Sequence, residues 1–156
     1  MKALVVSDTH GNFAPAVQAH SLTEPVDAVI HLGDGIEDAN LLRNLMHLDV
    51  IAVSGNCDHD TSAPREMLWE CEGKRILLVH GDAYGVKGGL ERLKQRAEEL
   101  CAHAVLFGHS HRATCITTSG ILFLNPGTLT RTSANKTFAT IEISEECIKA
   151  HLHDLP

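Results

Sequence analysis

The sequence predicts an α/β fold of two stacked sheets with helices outside, and three observations lead to it. In the first third of the chain, short apolar runs alternate with helical stretches, the order that gives right-handed crossovers and a mainly parallel sheet. Beyond that the pattern turns β-rich, with period-two alternation and glycine-bearing turns. The total is about ten strands, and an open sheet of that size usually curls or splits in two.

The elements follow in order. Residues 2–7 read as a strand that feeds the polar loop Asp8-Thr9-His10-Gly11-Asn12. Asn12 is expected to cap a helix over 13–21, with Pro15 accommodated in its first turn. A second strand covers 27–32, and the helix over 36–46 carries Leu41, Leu42, Leu45 and Met46 at helical spacing. A third strand covers 49–54. Strands 66–71 and 75–80 pair across a tight Glu72-Gly73 turn. The clearest helix, 87–101, places Leu90, Leu93, Ala97 and Leu100 on one face and leads into strand 103–107. Strands 113–118 and 121–125 join at Ser119-Gly120, and 136–143 and 147–153 complete the set. In the last strand, Lys149, His151 and His153 alternate with Ile148, Ala150 and Leu152, which predicts a solvent-exposed polar face rather than a metal site. No internal repeat, low-complexity tract or linker interrupts the pattern, so residues 1–156 read as one domain.

Composition narrows the function. With 156 residues, 44% hydrophobic and 21% charged, the chain suits one globular domain. No apolar run approaches the ~20 residues that span a bilayer, so no membrane partner is expected. Met1-Lys2-Ala3-Leu4 enters a strand without a signal-peptide apolar region, which predicts a cytoplasmic product. The net charge of -7, without a basic stripe, argues against long nucleic acid as a partner. Five cysteines without a CxxC pair predict reduced, mostly buried thiols, Cys57 excepted because it sits inside a motif.

One grammar recurs five times. A short apolar run ends, and a metal-ligand side chain follows beside a glycine: Asp8-Thr9-His10-Gly11, Gly33-Asp34-Gly35, Gly55-Asn56-Cys57-Asp58, His80-Gly81-Asp82 and Gly108-His109-Ser110-His111-Arg112. In open α/β sheets, ligands collect beyond the carboxyl ends of strands, so topology gathers Asp8, His10, Asp34, Asn56, His80, His109 and His111. Two carboxylates, one amide and four imidazoles suit Mn, Fe, Ni or Zn better than an all-oxygen calcium site. Seven ligands exceed what one catalytic ion with an open position takes, but they fit two ions that share a carboxylate. Neutral imidazoles and the amide leave those ions a net positive field for an anionic substrate.

These five motifs, in this order, resemble the calcineurin-like metallophosphoesterase superfamily. Gly55-Asn56-Cys57-Asp58, Asn125-Pro126-Gly127-Thr128 and the short chain resemble its small bacterial and archaeal phosphodiesterase branch. The resemblance spans residue 3 to about 128 and implies a four-layer α/β/β/α sandwich of two mixed sheets flanked by helices. It also implies one ion on Asp8, His10, Asp34 and His111, and another on Asp34, Asn56, His80 and His109, with Asp34 bridging. Two divalent ions are implied, Mn first, with Fe, Ni, Zn or Mg as alternatives. The implied reaction is hydrolysis of a small phosphodiester through a metal-bridging hydroxide. The competing expectation is a non-enzymatic metal-binding interaction module, because a retromer subunit with this fold serves binding with a degraded metal site. A homo-oligomer is compatible with either.

Two departures stand out. Many members of the resembled family carry histidine directly after the metal-binding asparagine, where it contacts phosphate and protonates the leaving group; here the residue is Cys57. A thiol is a poor substitute, which favours substrates whose leaving group needs little protonation, or another donor. His59 is near in sequence but reads first as an exposed loop residue, and Asp58 as a group that orients its loop or a ligand histidine. Relatives often read His-Gly-His at the fourth motif, whereas Asp82 stands here and is expected to be structural. His31 is expected to be a hydrogen-bonded core histidine, and His20, His47 and His103 to lie on the surface. Arg112 either reaches phosphate or pairs with an acid at the rim. Asn125–Thr128 reads as a turn, and its position in the resemblance implies packing beneath the metal loops.

Overall fold

The computed structural model describes residues 1–59 and 61–156. In chain order the strands are β1 (Lys2–Val6), β2 (Ala28–His31), β3 (Asp49–Ala52), β4 (Glu66–Cys71), β5 (Lys74–Val79), β6 (Ala104–Leu106), β7 (Thr114–Thr118), β8 (Ile121–Asn125), β9 (Thr137–Ile143) and β10 (Ile148–Asp154). The helices are α1 (Ala14–Thr23), α2 (Ile36–Met46) and α3 (Glu91–Glu99). One sheet runs β10-β9-β1-β2-β3 and the other β4-β5-β6-β8-β7. In the first, β1, β2 and β3 are parallel and β9 and β10 antiparallel; in the second, β5, β6 and β8 are parallel between antiparallel edges.

Period-two alternation builds the layers. Ala3, Val5 and Ile30 face Ile76, Leu78 and Leu106 between the sheets. The alternate residues Leu4, Val6 and Val29 face outward against Ala16 and Ala19 of α1 and Leu42 of α2. On the other sheet Leu77, Val79 and Phe123 face Leu93 and Ala97 of α3. The result is the expected α/β/β/α sandwich. Each fully buried Leu, Ile or Phe contributes about 1.5–3 kcal/mol, so these three clusters set the frame on which the loops rest.

Several local expectations are corrected. Asn12 does not cap α1: the N-cap is Phe13, without a side-chain bond, and the Asn12 amide donates instead to Leu129 O at 2.7 Å. On α2 the buried stripe is Ile36, Ala39 and Leu42, whereas Leu41 and Leu45 are 45% and 57% exposed. The helix expected over 87–101 begins only at Glu91, because the chain first passes through a 3-10 turn at Asp82–Tyr84 and a left-handed Gly85. It ends before Cys101, whose φ of 50° is left-handed. His153 leaves the exposed face of β10: its ring stacks on Phe138 at 4.9 Å and its Nε2 meets Thr140 Oγ1 at 2.9 Å, while His151 stays exposed. All five cysteines are free as expected, but four are exposed and only Cys71 is half-buried. His20 is half-buried against Glu24 at 3.0 Å, while His47 and His103 are exposed. Among the described residues, no helix is long and apolar enough to cross a membrane.

Candidate metal centre

The five motif loops leave the carboxyl ends of β1, β2, β3, β5 and β6, and backbone bonds knit them together. Asp8 N donates to Gly33 O at 3.0 Å, His10 N to Asp34 O at 2.9 Å, and Gly108 N to His80 O at 2.8 Å. Nine non-glycine residues adopt positive φ among those described, and five are expected ligands: Asp8, His10, Asp34, His109 and His111, between 47° and 63°. Such backbone costs on the order of 1 kcal/mol per residue and is held only where surroundings over-determine it. Here it turns side chains back toward the crevice instead of letting them follow the strand. Two motif glycines make that tight geometry feasible. A Cβ on Gly55 would collide with the Asp34 carboxylate and backbone, and one on Gly108 with Ser7 Oγ.

Asp8 and Asp34 are buried at the floor, 0% and 4% exposed. Asp8 Oδ2 accepts from Ser7 Oγ at 2.6 Å and His109 N at 3.1 Å, and its Oδ1 lies 3.0 Å from His111 Nε2. Asp34 Oδ1 accepts from Cys57 N at 2.8 Å, while Oδ2 lies 3.4 Å from His80 Nε2 and 3.7 Å from His10 Nε2. His109 Nδ1 approaches His80 Nε2 at 3.2 Å. Donor atoms of Asp8, His10 and His111 lie within 4.8 Å of one another, as do those of Asp34, His80 and His109. A third such group is His10, Asp34 and Cys57.

Whether a cation fits here is decided by His80. Its Nδ1 lies 2.8 Å from Leu32 O, which can only accept, so Nδ1 carries the proton. In the neutral ring Nε2 is then an acceptor, buried, 3.2 Å from His109 Nδ1 and facing the carboxylates of Asp34 at 3.4 Å and Asp8 at 3.9 Å. Acceptors turned on one another in a dry site are costly without a positive charge between them. Burial alone would depress His80, yet the hydrogen bond and charge of Asp34 and the charge of Asp8 raise it overall. Burial would raise Asp34, but hydrogen bonds from His80 and the Cys57 amide hold it well below the usual carboxylate range. His109 is lowered by burial and by the charges of His80 and Lys87. A pocket that draws a proton onto a buried imidazole when empty is suited to a divalent ion, and the mixed N/O donors suit a borderline one.

Asn56 lies next to Cys57, whose backbone N–H donates to Asp34 Oδ1. It is exposed, on the loop beside Asp34, and its amide donates to Cys57 Sγ at 3.4 Å. Cys57 takes a place near His10 and Asp34, and its thiol is pushed up to about 11, first by desolvation and then by Asp34. Asp58 orients loops rather than a histidine. Its carboxylate accepts from the backbone N–H of Asp34, Gly35, Ile36 and Gly55 between 2.8 and 3.0 Å, which caps α2 and ties the second motif to the third. Asp82 is structural as expected, paired with Arg65, which also donates to Gly55 O. Sequence reading missed Arg65, because nothing local marks an arginine ahead of β4. His31 is buried, accepts from Gly33 N at 3.2 Å and meets Thr9 Oγ1 at 3.1 Å; burial lowers its pKa. The Asn125 amide donates to Gly108 O and Ser110 Oγ, and Thr128 Oγ1 to Asp8 O, which puts that turn beneath the metal loops. Arg112 and His59 are exposed.

A four-layer α/β sandwich with buried carboxylates and imidazoles at the joined strand ends is the arrangement of a metal-dependent phosphoester hydrolase. Comparison with known proteins places it further: residues 1–146 match the calcineurin-like phosphoesterase superfamily domain, and the chain belongs to that family. A probable metallophosphoesterase of Bacillus subtilis is 31% identical over 159 residues, covering 99% of this chain and 91% of its own. A conserved phosphoesterase-like protein of Streptococcus pneumoniae, known by crystal structure, superposes with a TM-score of 0.82 at 27% identity, covering 98% and 88% of the two chains. Two more distant structures share the fold, each with a TM-score of 0.76. One is an archaeal phosphodiesterase, 19% identical over 98% of this chain and 100% of its own. The other is Vps29 of Entamoeba histolytica complexed with zinc, 22% identical with both chains fully covered.

Proposed function

We propose that this protein is a dinuclear metal-dependent phosphodiesterase acting on a small phosphodiester. The observation that carries this is the meeting of two three-residue ligand groups, Asp8–His10–His111 and Asp34–His80–His109, across carboxylates that lack compensating charge. One ion would be held by Asp8, His10, Asp34 and His111, the other by Asp34, Asn56, His80 and His109. Bound there, two divalent ions, Mn first, supply Lewis acidity toward phosphate oxygens and acidify water at neutral pH.

The chain's own residues prepare that chemistry. Leu32 O fixes the His80 tautomer and presents Nε2 inward. Ser7 and the His109 amide satisfy Asp8 Oδ2, which leaves Oδ1 to face the crevice. The Cys57 amide does the same for Asp34 Oδ1. The Cys57 thiol, raised by desolvation and by Asp34, is a weaker proton donor than an imidazolium at that position. Esters with good leaving groups are therefore the favoured substrates. Likeness to an archaeal phosphodiesterase supports the diester preference. A cavity of about 610 Å³ beside His10 and Asp34 has room for a small substrate. The second reading, an interaction module that holds metal without turnover, draws on the fold shared with Vps29.

The test is hydrolysis of bis-p-nitrophenyl phosphate and p-nitrophenyl phosphate by chelator-stripped protein refilled with Mn, with Asp34→Asn and His109→Ala alongside. Metal-dependent cleavage favouring the diester, lost in both variants, is expected. Two bound ions with no turnover of either ester would sink the hydrolase reading in favour of the module.

A further inference from the structure

Two cavities flank the candidate metal centre, and they carry opposite charge. The first, about 610 Å³, touches His10 and Asp34 and is walled by Glu37 and Asp38, with no lysine or arginine in its lining. Asp58, also in that wall, already serves four backbone N–H groups, but Glu37 is exposed and makes no ion pair among the described residues. The second cavity, about 490 Å³, shares no lining residue with the first and borders the centre through Ser110, which stands between His109 and His111. Its floor is apolar, with Val86 and Phe107, and its cations are Lys87 and Arg112. No acid lines it; Glu91, at the start of α3, rests over Gly89 and outside the lining. Both cations are exposed, and neither makes an ion pair among the described residues. Ser110 stands between the two ligand histidines and Arg112 directly follows His111, so the cavity that Lys87 lines borders the loop that carries those ligands.

We propose that the cavity under Lys87 and Arg112 is a second anion subsite, which takes a further phosphate or carboxylate carried on one arm of the phosphodiester. The proposal rests on the hydrolase reading above. A monoanionic diester needs no cations beyond those at the centre, so two unpaired cations beside it select for a second negative group. The acidic cavity repels such a group, so the charged arm is directed to the basic one. The arm at the acidic cavity is neutral or cationic. Ser110 is already committed through Oγ to Asn125 and to Arg112 N, so the loop that carries the histidines also fixes the backbone of Arg112. Lys and Arg at such a position attract through space, and salt weakens them.

The experiment compares thymidine 5′-(p-nitrophenyl phosphate) with the same ester phosphorylated at the 3′ position, using Mn-loaded protein. The expected ratio of kcat/KM is about threefold to tenfold in favour of the 3′-phosphorylated ester, the size of two partly solvated ion pairs. That ratio should fall toward one in K87A/R112A and at high salt, and remain at its wild-type value in Lys94→Ala on α3. A wild-type ratio at or below one, or an unchanged ratio in K87A/R112A, overturns the subsite. If neither ester is cleaved, the hydrolase reading fails separately, and calorimetry decides the subsite. Tighter binding of thymidine 3′,5′-bisphosphate than of thymidine 5′-monophosphate, lost in K87A/R112A, supports it; equal binding refutes it.

Discussion

Replacing Asp58 tests whether the site is assembled by loops that hold one another or by the metal alone. Asp58 Oδ1 accepts from Gly35 N and Ile36 N at 2.9 and 3.0 Å, where α2 begins at a glycine with no side-chain cap of its own. Oδ2 accepts from Asp34 N and Gly55 N, both at 2.8 Å. In Asp58→Ala the loss of a helix cap costs about 1 kcal/mol. The loss of charged acceptors for the Asp34 and Gly55 amides adds about 1.5–3 kcal/mol, with the lower end favoured because water reaches this half-buried carboxylate. The sum is about 3 kcal/mol, a fall in Tm of about 6–12 °C for a chain of this size. Asp58→Asn should be no milder: one oxygen serves one pair of N–H groups while the amide NH2 faces the other pair, donor against donor. Urea denaturation of chelator-treated protein, followed by the fluorescence of the lone Trp69, measures both. Asp58→Ala within 0.5 kcal/mol of wild type, on the scale of an ordinary surface substitution, would refute the reasoning.

Three further substitutions probe other links. Glu66 on β4 is held below its ordinary value by Arg96 of α3, with burial opposing and Tyr84 assisting. Its contribution is therefore present above the unfolded pKa and lost as pH falls through the depressed one; the stability gap between wild type and Glu66→Gln should be open at neutral pH and close in acid. Cys57→His puts an imidazole where the thiol is a weaker proton donor; it should speed alkyl diesters by about tenfold or more and p-nitrophenyl diesters far less, measured as kcat on matched esters. Gly55→Ala drives a methyl group into Asp34, so metal affinity should fall by about tenfold or more in a competition titration with a chelating dye while the sheets stay folded.

The strands and the gathering of the loops that carry the ligands were legible because both follow from periodicity and from where loops leave a parallel sheet, whereas the order of strands within each sheet was not. Ala3 and Val5 alternate with Leu4 and Val6, and that is sufficient to assign two buried faces. Side-chain commitments inside loops were harder. Asn12 looked like a cap, but Leu129 O, distant in sequence, competes for its amide. Asp58 sits six residues past β3, yet it caps a helix that begins before β3, a contact only the fold creates. Leu41 and Leu45 have helical spacing with Leu42, but α2 presents a narrow stripe to the sheet and leaves them outside. His153 alternates correctly and still turns inward, because Phe138 on the neighbouring strand offers a ring to stack on.

Metal binding by itself does not separate an enzyme from a binding module, but the exposure of the ligands bears on it. His80 is 1% exposed and forms a closed floor with Asp8 and Asp34, whereas His10 and His111 are 31% and 41% exposed at the side chain. Structural metal sites are closed on all sides, while catalytic ones keep an open position for water and substrate. A floor of buried carboxylates under a mouth of exposed imidazoles is open on one side, next to a cavity large enough for an ester. The consequence is measurable without turnover. Inorganic phosphate should protect the Mn-loaded protein against thermal unfolding increasingly as its concentration rises, logarithmically above Kd, and the protection should vanish on chelation. A module whose ions are sealed within the fold would show the metal-dependent rise in Tm and no response to phosphate.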